Sequence, residues 1–117
     1  MEKTTQLNRV ELIGLVGNIR VTASGGTKAA RMTVATNLCY RSAAGEVVIE
    51  TQWTQVTAFE GKSVSFDGLG KGVPVHVVGR LRSQRYTDAD GNDRSTVEVV
   101  ACSLGRIGDG APGYETL

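Results

Sequence analysis

The sequence contains few of the residues on which metal sites, redox sites and most active sites depend. It has one histidine, two cysteines and two prolines in 117 residues. His76 lies between valines with no metal-ligating partner at a useful spacing, so we expect packing or an interface contact there. No nucleophile motif and no carboxylate cluster within a strand is recognisable. We therefore expect no metal, no cofactor, no small-molecule substrate and no enzymatic activity.

Long hydrophobic runs and an excess of one charge are also absent. The longest apolar stretch, residues 12–17, is far shorter than the roughly 20 residues that span a bilayer, and no apolar segment follows a basic amino terminus. These features predict a cytoplasmic protein without a membrane partner. The net charge is only +1, so the total charge does not indicate a nucleic-acid partner, and any electrostatic argument must come from where the charges lie.

Cys39 and Cys102 occur in apolar, strand-like contexts without CxxC spacing. This pattern predicts two reduced, buried thiols. The count of two leaves a disulfide open.

What the sequence does contain is glycine, 15 residues of it, distributed between runs of β-branched residues. This pattern predicts short strands joined by tight turns, because helical periodicity is nearly absent. One helix is expected within residues 61–70, limited to about two turns by Gly68 and Gly70. The predicted strands cover residues 9–21, 30–41, 47–59, 74–86 and 95–104.

Five strands with one short helix between the third and the fourth describe an all-β OB-fold, a Greek-key barrel that binds oligonucleotides or oligosaccharides. An SH3-like barrel and an incomplete sandwich are the competing folds, and the position of the helix favours the OB-fold. We expect this domain to cover residues 1–104. Residues 105–117 are rich in glycine and weakly patterned, so we expect a short flexible tail there.

The placement of the aromatic residues is the main functional signal. In the third strand, Trp53 and Phe59 alternate with Val56 and Ala58, so an inward Val56 would leave Trp53 pointing to solvent. An outward tryptophan among polar neighbours suits stacking on unpaired bases, since every base has a π-face. The alternative is that Trp53 and Phe59 close the barrel or lie at a subunit interface.

Cations accompany these aromatics. The fourth strand contains Arg80, Arg82, Arg85 and Tyr86 without an acidic residue between positions 73 and 87, and Arg41 directly follows Tyr40. Interleaved cations and aromatics hold phosphates while bases stack. The alternative is that these arginines are merely solvated.

Seven stretches of the chain together carry a recognisable family pattern: residues 7–14, 34–37, 51–59, 71–75, 78–82, 86–94 and 96–100. They resemble the bacterial single-stranded DNA-binding proteins. The resemblance is ordered, nearly free of gaps and covers about residues 7–104.

The resemblance implies an OB-fold that binds single-stranded DNA with little sequence preference during replication, recombination and repair. It also implies a homotetramer, with a dimer as the alternative, and a location with the nucleoid. The chain departs from the family at Thr54, often histidine, at His76, often aromatic, and in lacking an acidic carboxyl-terminal cluster. Together with the charge pattern, the resemblance predicts nucleic-acid contacts by Tyr40, Trp53, Phe59, Tyr86, Arg20, Arg41, Lys62, Arg80, Arg82 and Arg85.

Two other functions stay open at this point. A primosomal or recombination accessory protein with the same fold would act mainly through protein contacts. An oligosaccharide-binding or structural barrel would show no preference for polynucleotides.

Overall fold

Runs of valine, isoleucine and threonine become long antiparallel strands in the computed structural model, which describes residues 5–108. The strands are β1 (Val10–Ser24), β2 (Thr27–Arg41), β3 (Val47–Phe59), β4 (Pro74–Thr87) and β5 (Asp93–Arg106). Within the described range they pair in the order β1-β2-β3-β5-β4 and close into a barrel, with β3 and β5 parallel and the other pairs antiparallel. The predicted OB-fold barrel is confirmed.

The core fills the barrel with one side of each strand. Alternate residues point inward, and most of the fully buried ones are valines, whose branched side chains pack well on a pleated surface. Burying one such side chain stabilises the fold by roughly 1.5 to 3 kcal/mol. The residues at most 2% exposed are Val16, Ala30, Met32, Val34, Val56, Ala58, Val75, Val77 and Val99.

Strand β1 closes the barrel because it pairs with two neighbours in succession. Its first part pairs with β4, and from Leu15 onward it pairs with β2, with a bulge between Val16 and Asn18. At the change of partner the backbones come so close that a Cβ on Gly14 would lie 2.2 Å from the Ala35 carbonyl oxygen. No residue with a side chain fits there without a backbone shift.

The predicted short helix is wrong: residues 60–73 form turns and isolated bridges. Val64 is buried and pairs with Leu104 of β5, whose backbone exchanges hydrogen bonds of 2.8 and 3.0 Å with Ser63 and Ser65. Gly68 has a φ of 72°, a value at which helical geometry ends. Pairing with the strand edge therefore replaces helical hydrogen bonding in this segment.

The two cysteines are free, but both are exposed, so the prediction of burial is wrong. Cys39 lies where β2 and β3 extend past the barrel as a two-stranded ribbon, which leaves both sides of the ribbon open. Cys102 lies at a bulge of β5, between Ala101, which pairs with Gly79, and Ser103, which pairs with Val78. A strand-like context therefore did not imply burial.

Strand β5 continues to Arg106, and the Ile107 amide donates a hydrogen bond of 3.0 Å to the Pro74 carbonyl. Of the tail expected from residue 105, positions 109–117 lie outside the described residues. No helix within residues 5–108 is long and apolar enough to cross a membrane.

The crowding at Gly14 gives a direct test of barrel closure. Gly14→Ala should destabilise the protein by about 1 to 3 kcal/mol, because the added methyl group forces β1 away from β2. Gly105→Ala is the matched control, since Gly105 is also in a strand and has open space where its Cβ would lie. Urea unfolding measures both variants. Equal stability of the two would contradict the account of barrel closure.

Candidate nucleic-acid interface

The outward side of β3 carries the two aromatics expected there. Val56 and Ala58 are fully buried, so the alternate positions point away from the core. Trp53 is 56% exposed and Phe59 is 52% exposed. The outward orientation that was inferred from strand alternation is confirmed.

Trp53 is held in place by the bulge in β1. A Cβ on Gly17 would lie 2.3 Å from Cζ3 of the indole, so the ring rests directly on the backbone at the bulge. Beside it the Asn18 amide donates a hydrogen bond of 3.1 Å to Thr33 Oγ1, which joins the bulge to β2. Because the missing side chain of Gly17 makes room for the indole, the ring is supported on one side and more than half exposed.

Arg20 and Arg31 extend this surface across β1 and β2. Arg31 pairs with Arg20 on one side and with Thr57 on the other, so all three side chains point outward in one row. Arg31 also lines a groove with Gln84, Arg85, Tyr86 and Thr96 of the β4–β5 hairpin, which brings β2 close to that hairpin. We call the surface that carries Arg31, Trp53, Thr57, Phe59 and Tyr86 the outer face.

Sequence analysis found Arg20 but missed Arg31. Arg31 lies between Ala30 and Met32, both buried, so alternation alone would have marked it as outward. Its pairing with Arg20 depends on the β1–β2 register.

A buried carboxylate lies in the floor of the outer face. Glu98, on β5, accepts hydrogen bonds on Oε1 from Arg82, one of them 3.1 Å long from Nε, and on Oε2 from the Thr57 hydroxyl at 3.0 Å. Burial acts to raise the pKa of Glu98, but these hydrogen bonds and the charges of Arg82 and Arg31 outweigh it and hold the pKa below its ordinary value. Arg82 therefore has its charge paired in the free protein.

Tyr86, on the β4–β5 hairpin, is 50% exposed and pairs with Arg94. Arg94 Nε donates a hydrogen bond of 2.8 Å to Asp88, a contact that lowers the pKa of Asp88 together with the Asn92 and Asp90 amides. These contacts fix the hairpin turn and so the position of Tyr86. A second groove at the hairpin, of about 400 Å³, is lined by Arg85, Tyr86, Thr87, Asp93, Arg94 and Ser95.

The remaining cations predicted on β4 divide between its two sides. Arg80 shares the side of Arg82 and Tyr86, while Arg85 alternates to the other side of the hairpin. Lys62 is exposed in the segment between β3 and β4.

Tyr40 and Arg41 lie on the β2–β3 ribbon, away from the outer face. The β2–β3 pairing has no irregularity, so Tyr40, five residues from Ala35, points to the opposite side from Trp53, which pairs with Ala35. The Tyr40 hydroxyl donates a hydrogen bond of 2.7 Å to Glu50, which raises the pKa of the tyrosine. Arg41 Nη1 donates to the Gly45 carbonyl at 3.0 Å within the β2–β3 turn.

His76 makes a structural contact on the outside of β1 and β4. Its Nε2 lies 2.6 Å from Glu11 Oε2, and Arg9 lies 3.9 Å from the other oxygen of Glu11. Within residues 5–108, no three histidine, cysteine or acidic side chains are grouped to hold a metal ion.

Known proteins share this architecture. The model of the single-strand binding protein family matches residues 7–107. The structure of Plasmodium falciparum SSB in complex with ssDNA has a TM-score of 0.76 at 25% identity, covering 92% of this chain and 100% of that chain.

Two further structures show the same fold at lower identity. A deletion mutant of the single-stranded DNA binding protein from Thermus aquaticus has a TM-score of 0.71 at 23% identity, covering 89% of this chain and 52% of that chain. The small single-stranded DNA-binding protein from Streptomyces coelicolor has a TM-score of 0.66 at 19% identity, covering 87% of this chain and 96% of that chain.

The ion pair of Glu98 predicts a specific dependence of stability on pH. Because the folded-state pKa of Glu98 lies below its ordinary value of 4.5, its contribution is present above that pH and is lost as the pH falls through the folded-state pKa. Glu98→Gln should therefore lower the free energy of unfolding by about 1 to 2 kcal/mol at neutral pH and flatten its decline in acid.

Urea unfolding across the acid range measures both effects, with Glu46→Gln, at an exposed turn position, as the control. If the two variants have the same acid profile, the Arg82–Glu98 pair does not stabilise the fold in the way described.

Proposed function

The chain belongs to the single-strand binding protein family, and from this premise we propose that its outer face binds single-stranded DNA with little sequence preference. The role that follows is to coat and protect exposed single strands during replication, recombination and repair. We propose binding without a chemical step, and a location with the DNA in the cytoplasm.

The seating of Trp53 is the observation that carries this proposal. The indole rests on Gly17 and keeps more than half of its surface exposed. Exposed aromatic surface is unfavourable in water, so a ligand that covers the ring gains free energy. A base that stacks on an aromatic side chain contributes roughly 1 to 3 kcal/mol and does so for any base. Phe59, three alternate positions further along β3, offers a second stacking surface on the same side.

Local charge supports the same ligand although the net charge is only +1. Arg20 and Arg31 lie beside the aromatics, and the carboxylate of Glu98 beneath them is already paired with Arg82. The outer face therefore presents positive charge to a phosphate backbone. Of the remaining predicted residues, Tyr86 and Arg80 can join this surface, and Arg85 lines the groove that Arg31 and Tyr86 share. On the β2–β3 ribbon, Arg41 alternates to the side of Trp53, while Tyr40 requires a strand that crosses to the other side.

Self-association is part of the proposal. Leu15 is 47% exposed on the outside of β1, and its neighbours on that side are Ile13 and, on β4, Pro74. A second copy of the chain that covers this apolar group would stabilise an oligomer, of which a homotetramer is the expected form and a dimer the alternative.

Intrinsic fluorescence tests the proposal directly, since Trp53 is the sole tryptophan. Saturating thymidine oligomer should quench the emission of the wild type. In a fluorescence anisotropy assay with a labelled oligomer, Trp53→Ala should weaken binding by roughly fivefold to 150-fold through the lost stacking. Trp53→Phe is the matched control, because it retains a smaller stacking surface and should lose less affinity.

A duplex of equal length and dextran sulfate distinguish base stacking from attraction to any polyanion. Neither offers unpaired bases, so neither should quench as the oligomer does. Equal quenching by all three, or full affinity of Trp53→Ala, would contradict the proposal. An oligosaccharide that outcompetes the oligomer would instead favour a carbohydrate-binding barrel.

A further inference from the structure

Arg20 and Arg31 form an unfavourable pair in the free protein. They are directly opposite each other on the antiparallel strands β1 and β2, so both side chains point to the same side at close spacing. Both are exposed, and like charges at such positions destabilise a sheet. Neither makes a salt bridge with an acidic residue within residues 5–108.

The Glu98 carboxylate offsets only part of this repulsion, through its attraction to Arg31. Glu98 uses one oxygen for Arg82 and the other for the Thr57 hydroxyl, and its side chain is 11% exposed. Its hydrogen bonds are therefore already taken, and it forms a salt bridge with neither Arg20 nor Arg31. The row Arg20, Arg31, Glu98 and Arg82 thus has an excess of two positive charges.

The surroundings of this pair fit a nucleotide. Phe59 is the next outward residue on β3 after Thr57, the partner of Arg31, so Phe59 lies diagonally across from Arg31. Arg31 also shares a groove with Tyr86. Arg31 therefore lies near two exposed aromatic side chains, each able to hold a base.

We infer that Arg20 and Arg31 together bind one backbone phosphate of the single strand, beside the bases that Phe59 and Tyr86 stack. Two guanidinium groups around one phosphate form charge-assisted hydrogen bonds, and the anion removes their mutual repulsion. Arg82 does not bind this phosphate in the arrangement, because its charge is paired with Glu98; it holds the Glu98 carboxylate in place beneath the outer face. The inference rests on the proposed function and assigns the site of one phosphate within it.

Salt dependence of oligomer binding tests the shared site. The double variant Arg20→Gln/Arg31→Gln should reduce the slope of log affinity against log salt by about 0.7, the value for one phosphate of a single strand. Each single variant should account for most of the affinity lost in the double variant, because either arginine alone leaves the site incomplete. Lys28→Gln is the matched control: Lys28 lies in the same hairpin and alternates to the opposite side from Arg31.

Three results would overturn the inference. Additive losses with a slope change of about 1.4 would mean two separate phosphate contacts. If the double variant binds the oligomer with the same affinity and salt slope as Lys28→Gln, the pair makes no phosphate contact. The proposed function would still stand in that case, because the wild type binds the oligomer. Absence of oligomer binding by the wild type would reject both the shared phosphate site and the proposed function.

The stability of the free protein gives an independent readout. At low salt Arg20→Gln should raise the melting temperature, because it removes the repulsion from Arg31, and Arg20→Glu should raise it further by creating a cross-strand ion pair. Both variants should weaken oligomer binding. A lower melting temperature in both variants would contradict the claim that the pair is unfavourable without its ligand.

Discussion

The whole architecture depends on the close approach of strand β1 to two different neighbours. The strand leaves β4 and joins β2 within a few residues, and Gly14 allows this because no side chain separates it from the Ala35 carbonyl. The bulge that follows, at Gly17, provides the surface on which Trp53 rests. Barrel closure and the position of the exposed Trp53 ring therefore depend on the same short segment of β1.

Electrostatics on the outer face follow from the order of the strands. The barrel places β3 between β2 and β5, so Thr57 can reach Glu98 and Arg31 lies one strand further along. Glu98 matches the charge of Arg82 inside the sheet, where an unpaired charge would be costly. Arg20 and Arg31 remain unmatched at the surface, where solvent makes their repulsion tolerable. Under the proposed function, this distribution leaves the unpaired positive charge of Arg20 and Arg31 at the surface for the phosphate backbone.

Sequence patterns within one strand correctly predicted the features that depend only on the alternation of side chains along that strand. The inward Val56 and Ala58 predicted an exposed Trp53, since neighbours in a strand point to opposite sides. The short helix was wrong because residues 63–65 pair with Leu104 of β5, a contact distant in sequence. Buried cysteines were wrong because a strand pattern shows neither where a strand leaves the barrel, as at Cys39, nor where a strand contains a bulge, as at Cys102. The pairing of Arg82 with Glu98, and of Arg20 with Arg31, depends on strand register, which no single segment of sequence contains.

Hydroxyl-radical footprinting of the protein with and without a thymidine oligomer tests most directly whether the single strand follows the outer face. The account predicts that the oligomer protects Trp53, Phe59 and Tyr86 from oxidation and leaves Leu38 unprotected, because Leu38 is 60% exposed on the opposite side of the β2–β3 ribbon. Protection of Leu38 with unchanged oxidation of Trp53 and Phe59 would place the DNA on the other side of the ribbon and contradict the account.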